Sequence, residues 1–220
     1  RSIEALQKAR RIGSIDEIRA QQLGASLHTK IGFIKLEGNQ LNEAEKSFSL
    51  AIREKTDFIP AIIALSKIFI SKDNERKALS LLSKTWKIQP HPEISKTLKL
   101  IWKNERSSSN IANLIKLTDE NASAQARYII ADEAISAGLT GEAKDQLSKV
   151  LTKEYNTTYH QLKSRLADKS DDKSQSNEEL EKALNANPSQ RWVCESCGTT
   201  SDIWKIKCDN CDRIGTLDWN

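Results

Sequence analysis

The sequence predicts an all-α fold of stacked helix pairs that ends in a small β module, and three observations carry that prediction. Residues 25–58, "ASLHTKIGFIKLEGNQLNEAEKSFSLAIREKTDF", and residues 59–92, "IPAIIALSKIFISKDNERKALSLLSKTWKIQPHP", align at a 34-residue offset. Residues 124–157 return to the same phase. All four cysteines of the 220-residue chain, Cys194, Cys197, Cys208 and Cys211, lie in its last thirty residues.

In the alignment Ile31 meets Leu65, Gly32 meets Ser66, Ala44 meets Ala78, Phe48 meets Leu82 and Ala51 meets Thr85, with Pro90 closing the second unit. A large residue then a small one in the first helix, and small, bulky, small in the second, is the tetratricopeptide pattern. The reason is steric: small residues let two antiparallel helices approach, and the bulky one fills the gap beside them. Stacked units of this kind form a right-handed solenoid. A generic bundle also alternates small and large residues, but two adjacent units at one offset and a third in phase favour the repeat.

Taken in order, residues 3–12 read as the second helix of a repeat. "SIDE" at Ser14–Glu17 reads as a capping box opening a long helix that ends near Gly38. Units 25–58 and 59–92 follow. Residues 93–123 are three short of a repeat and keep little beyond Ala112, a degenerate unit. Unit 124–157 keeps Ile130, Ala131, Gly138, Ala143, Leu147 and Val150 in phase, whereas unit 158–190 keeps only Leu180, Ala183 and Pro188. Its stretch "DKSDDKSQSNEE" has almost no apolar content and is expected to be a mobile loop. The chain thus divides into a repeat region, 1–190, and a cysteine module, 191–220.

Composition narrows the function. Hydrophobic residues at 38% support a core, while 29% charged residues and a mean hydropathy of −0.57 predict a soluble chain. No apolar run approaches the roughly 20 residues that span a bilayer. The chain begins at Arg1 and has no methionine, so it is expected to be part of a longer protein, with room upstream for a membrane anchor. Its net charge of +4 comes from 34 basic and 30 acidic side chains that are well interspersed. Nucleic-acid binders cluster their basic residues, so no nucleic-acid partner is expected.

Two C-x2-C pairs separated by ten residues ask for a metal: each tight turn aims two thiolates at one ion, and two turns complete a tetrahedron. Paired cysteines in an otherwise cysteine-free chain also indicate a reducing compartment. A closed structural zinc site is the first reading. A rubredoxin-like iron site uses the same four ligands and permits electron transfer, and two redox-active dithiols form the third reading. Gly198 and Gly215 stand beside the knuckles, where backbone freedom is useful. Trp192, Trp204 and Trp219 are expected to wrap the metal and pack the rubredoxin-like or zinc-ribbon module onto the last helices, beside Leu180, Ala183 and Leu184, as a cap. From residue 191 onward four basic side chains face five acidic ones. Four thiolates around a divalent ion bring the module to about −3, the wrong sign for phosphate.

His28, His91 and His160 read as structural, since four cysteines already suffice. The sequence has no phosphate-binding glycine loop, no G-x-S-x-G and no H-E-x-x-H, so an enzyme is not expected. Solenoids of this type present first-helix residues to protein partners. In this phase the inward positions include Phe33, Leu36, Ile63, Lys67, Ile70, Tyr128 and Asp132, although Leu36, Ile63 and Ile70 serve equally well as core.

"FIPAIIALSKIFISKDNERKALSLLSKTWKIQPHPEI", "WVCESCG" and the closing "TLDW" resemble the HemY family of bacterial tetratricopeptide proteins, the tail matching alphaproteobacterial members. The resemblance implies an inner-membrane protein anchored by an N-terminal segment, a cytoplasmic solenoid and a link to haem biosynthesis. In architecture the chain is also similar to LapB, a membrane-anchored repeat protein with a rubredoxin-type tail that recruits a protease to regulate lipopolysaccharide synthesis. Asp212 and Arg213 follow Cys211 where a glycine is more usual, so that turn is expected to differ in shape.

Overall fold

The computed structural model describes residues 2–103, 106–119 and 122–220. Its helices are α1 (Ser2–Arg11), α2 (Glu17–Glu37), α3 (Leu41–Glu54), α4 (Ile59–Ser71), α5 (Glu75–Ile88), α6 (Pro92–Ile101), α7 (Ser107–Leu117), α8 (Ala124–Ser136), α9 (Thr140–Ser148), α10 (Thr157–Asp168) and α11 (Lys173–Asn185). Three short strands follow: β1 (Trp192–Cys194), β2 (Thr200–Ser201) and β3 (Leu217–Trp219). The fold is all-α, of tetratricopeptide type, with a small C-terminal β module. Four residues of the degenerate unit, 104, 105, 120 and 121, lie outside the described residues. Two compact units form, one from residues up to Leu81 together with Gln190–Asn220, the other from Leu82–Ser189.

The repeat is visible in the turns as well as in the packing. Asn39, Asp73, Gly138 and Asp171 each follow the first helix of a pair and each take a positive φ, between 54° and 77°. The next residue then donates its N–H to a carbonyl five positions back: Gln40 to Lys35, Asn74 to Phe69, Leu139 to Ala134 and Asp172 to Ala167, at 2.8–3.0 Å. This is one Schellman turn repeated after each of these helices, and Gly13 with the Ser14 N–H on Ala9 O makes it again after α1. Glycine, asparagine and aspartate are the residues that enter the left-handed region at least cost.

In the first unit Ala44, Phe48 and Ala51 of α3 are fully buried against α2 and α4. Phe48 sits on Gly32, where an added Cβ would come within 2.6 Å of its ring. Phe33 meets the same ring edge-to-face at 5.2 Å. The small residue of the pattern is thus the seat of the bulky one. In the second unit Ala143 and Leu147 are buried in the corresponding positions of α9.

Three local expectations are corrected. The cap of α2 is Asp16, which accepts the Arg19 N–H at 3.1 Å, while Ser14 donates its hydroxyl to Ala9 O and closes α1. The stretch read as a mobile loop is largely helix: residues 169–172 make the turn, Asp172 caps α11 by accepting from Gln175 N, and α11 runs on from Lys173. Polar pairs hold it where apolar ones were sought. Ser176 meets Ser164 at 2.9 Å, and the buried Glu179 carboxylate meets His160 Nδ1 at 2.8 Å. Leu180 and Leu184 are exposed instead of lying beneath a cap.

His91 has a definite job. Its Nδ1 accepts the Glu93 N–H at 3.0 Å and caps α6, and the residue is only 4% exposed. Burial pushes its pKa from the ordinary 6.5 down to about 4.

Two predictions follow from this packing. Gly32→Ala should drive a methyl into Phe48 and cost about 1–3 kcal/mol, whereas Gly38→Ala, whose nearest neighbour would stand at 3.6 Å, should cost far less; urea midpoints of the two variants check this. Because the unfolded His91 binds a proton that the folded one refuses, stability should be full above pH 6.5 and fall as pH drops towards 4, by up to about 3 kcal/mol. His91→Asn keeps a capping acceptor without the titration, so its urea midpoint should vary less between pH 7.5 and 4.5 than that of the unaltered chain.

Candidate metal centre

The cysteine module folds as two matching knuckles. In the first, Gly198 N–H bonds Cys194 O at 2.8 Å and Cys194 N–H bonds Thr199 O at 2.9 Å; in the second, Asp212 N–H bonds Cys208 O and Cys208 N–H bonds Arg213 O, both at 3.0 Å. Gly198 has φ 72° and Asp212 has φ 60°. The expected difference after Cys211 is therefore corrected: aspartate takes the left-handed turn that glycine takes in the first knuckle, and the backbone path is the same.

These turns bring the four Sγ atoms within 4.8 Å of one another. Across the knuckles Cys194 Sγ lies 3.7 Å from Cys211 Sγ, and Cys197 Sγ lies 3.6 Å from Cys208 Sγ. A tetrahedron with metal–sulfur bonds of about 2.3 Å has edges of about 3.8 Å. The four thiols fit one tetrahedral ion, zinc or iron. Thr199 Oγ1 is 3.3 Å from Cys197 Sγ and Thr216 Oγ1 is 3.2 Å from Cys194 Sγ. Hydrogen bonding from the Thr199 hydroxyl, then from its N–H and from Asn210, pushes Cys197 down to about 5, towards the thiolate that a metal needs. Burial divides the set: Cys194 and Cys208 are buried, Cys211 is half-buried and Cys197 is exposed.

The sheet order is β2-β1-β3, all antiparallel, with Trp192 opposite Trp219 and Cys194 opposite Leu217. Trp192 and Trp219 meet edge-to-face at 5.4 Å. The module then docks on helices from the start of the chain. Trp204 packs on the first unit's core and stands perpendicular to Phe58 at 5.6 Å. Arg19 Nη2 donates to Ile214 O at 2.6 Å and Arg19 Nη1 donates to Gly215 O. Gln22 Nε2 donates to Leu217 O at 3.1 Å, while Lys55 Nζ bonds both Gln22 Oε1 at 2.9 Å and the Asp218 carboxylate at 2.8 Å. At Gly215, with φ 62°, a Cβ would lie 3.1 Å from Leu23 and Ser26. The expected cap on the last helices is thus replaced by a seat on α2 and the turn between α3 and α4.

Arg19, Gln22 and Lys55 were not legible as a site. Their signal is indirect: the buried face of α2 includes Gln22 and Ser26, polar residues that the helix-pair pattern does not call for, and both lie against the ribbon. Such a face suits a strand whose backbone comes close and needs donors.

The residues expected to line a groove separate by burial. Phe33 and Leu36 pack half-buried on the first unit's core, Ile63 is buried, Ile70 is half-buried and Lys67 is exposed. In the second unit Tyr128 is 2% exposed with its hydroxyl donating to Glu154 O at 2.8 Å, so it serves the core, while Asp132 is exposed and paired with Arg165.

No protein-family model matches the chain, and no curated protein does. Among solved structures it is similar to MamA 41-end from Desulfovibrio magneticus RS-1, at 17% identity and TM-score 0.41 over 74% of this chain and 94% of that one. It is also similar to the MamA RS-1 ArsTM double mutant, at 17% identity and TM-score 0.39 over 74% and 93%. A third is YrrB, described as a TPR protein with an unusual peptide-binding site, at 16% identity and TM-score 0.38 over 82% and 91%. The repeat assignment rests on the chain's own turns and packing.

Since a module of this size does not hold its fold without its ion, removing the metal should weaken the helices beneath it. Strong chelation, or Cys194→Ser with Cys197→Ser, is expected to lower the helical unfolding temperature of the first unit, about 4–8 °C for each kcal/mol of docking lost. Circular dichroism with amide exchange in α2 reads this out. Metal release with α2 unchanged would show an independent tail.

Proposed function

We propose that this chain is a non-enzymatic scaffold for protein partners, with zinc as a structural ion in its four-cysteine ribbon. The observation that carries the proposal is how the repeats divide their first helices. Small residues such as Gly32 of α2 are spent on packing, while charged positions of other first helices, Lys67 of α4 and Asp132 of α8, stay exposed. Four thiols around one ion fill every tetrahedral position, which leaves the metal a folding role and no open site for chemistry.

On its resemblance to the HemY family, we read the chain as the cytoplasmic part of a bacterial inner-membrane protein linked to haem biosynthesis. Among the described residues no helix is long and apolar enough to cross a membrane, so this reading requires an anchor outside the present chain. A LapB-like adaptor is the neighbouring reading, with a protease or envelope-synthesis enzymes as the partners. A rubredoxin-like electron carrier is the reading from another class, favoured by one observation, the exposure of Cys197 at the cluster's edge.

Two measurements separate these readings. Elemental analysis after growth with both metals should find about one zinc per chain; stoichiometric iron with visible charge-transfer bands would favour electron transfer. Crosslinking mass spectrometry in native membranes should then identify the partner. Lys67→Glu tests the first unit's first-helix face and Asp132→Lys, separately, the second unit's. A face that binds should lose about tenfold in capture with the helical spectrum intact, and capture insensitive to a substitution would remove that unit's face from the binding surface.

A further inference from the structure

The four sulfurs differ in accessibility, and the difference is ordered. Each short cross-knuckle contact joins a buried sulfur to a more accessible one: exposed Cys197 with buried Cys208 at 3.6 Å, and half-buried Cys211 with buried Cys194 at 3.7 Å. A reagent arriving from solvent therefore meets Cys197 first. The sulfur in short contact behind it, that of Cys208, belongs to the other knuckle.

The same cluster fastens the module to its seat. Cys194 lies in β1, and its partner in β3 is Leu217, whose carbonyl Gln22 holds. The second knuckle opens directly into Ile214 and Gly215, whose carbonyls Arg19 holds. Docking on α2 thus depends on backbone positions that the two knuckles fix.

We propose that Cys197 is an oxidation site for hydroperoxides, and that its oxidation unlatches the ribbon from α2. The inference rests on the metal-ribbon reading above. The Cys197 thiolate attacks the terminal oxygen of a hydroperoxide, the O–O bond breaks, and Cys197 becomes a sulfenic acid while hydroxide or alkoxide leaves. The Cys208 thiolate then attacks the Cys197 sulfur, forming the disulfide and expelling hydroxide. The two sulfurs supply the two electrons that reduce the peroxide, and the metal keeps its charge. With only Cys194 and Cys211 left as ligands, half the donor set, the ion departs. The module then has neither ion nor sufficient core, and Arg19, Gln22 and Lys55 lose their strand.

The experiment uses the full chain loaded with zinc and titrated with hydrogen peroxide. Zinc release is followed with a chromogenic chelator, disulfides by peptide mapping, and the seat by amide exchange in residues 191–219 and α2. Expected are one zinc released per chain at the first disulfide, a Cys197–Cys208 bridge as the first product, and exchange about tenfold faster in both segments, all reversed by a dithiol with zinc. A first bridge within one knuckle, sulfinic acid at Cys197 with zinc retained, or zinc release with α2 exchange unchanged would each overturn the proposal. A chain that takes up no zinc fails at the loading step, before peroxide is added, and there the metal-ribbon reading itself falls.

Discussion

Thirty residues do not bury enough apolar surface to hold a fold of their own, and the first unit is organised around that shortage. The ribbon needs an ion at its knuckles and a surface beneath its strands. Two turns of one shape bring four thiols into a geometry that fits one ion, and α2 supplies the surface, with Gln22 and Ser26 against the ribbon. Three side chains complete the seat. Arg19 and Gln22 saturate carbonyls of the segment that leads into β3, and Lys55 ties Asp218 to Gln22. Losing Gln22 would leave the buried Leu217 carbonyl unsatisfied, at about 1–3 kcal/mol. That makes the seat specific in register as well as adhesive.

The second unit meets a different shortage, of apolar residues in its last helix pair, with polar contacts. His160 with Glu179 and Ser164 with Ser176 join α10 to α11, while Ser95 and Lys99 of α6 both reach Glu133 of α8. Asn187 and Ser189 are held by Thr157 and Thr158 at the start of α10. Pairs of this kind add little net stability when partly exposed, but an unpartnered buried carboxylate at Glu179 would cost several times more. The pairing therefore selects one packing of the two helices.

Much of this was legible because it depends on local chemistry. The tetratricopeptide phase shows in Gly32 against Phe48. The knuckles show in the cysteine spacing. The polar stretch before Leu180 was not legible as helix, because a low apolar count says nothing about a serine or glutamate whose partner lies on another helix. The Asp212 turn misled for a related reason: sequence shows which residue is commonest in a left-handed turn, not which others the turn accepts. Tyr128 holds a first-helix position yet is buried, since its hydroxyl finds the Glu154 carbonyl.

The sequence by itself determined the repeat phase of the better-kept helix pairs and the two cysteine knuckles whose four thiols fit one ion, because each follows from local spacing. The tertiary structure alone decided where the ribbon sits. Chain proximity pointed to α11 and its leucines, but a strand is held by donors matched to its carbonyls, and those stand on α2, nearly two hundred residues earlier in the chain. Complementarity between a backbone and distant side chains leaves no periodic trace in a sequence. It becomes visible only when both ends of the chain meet in one unit.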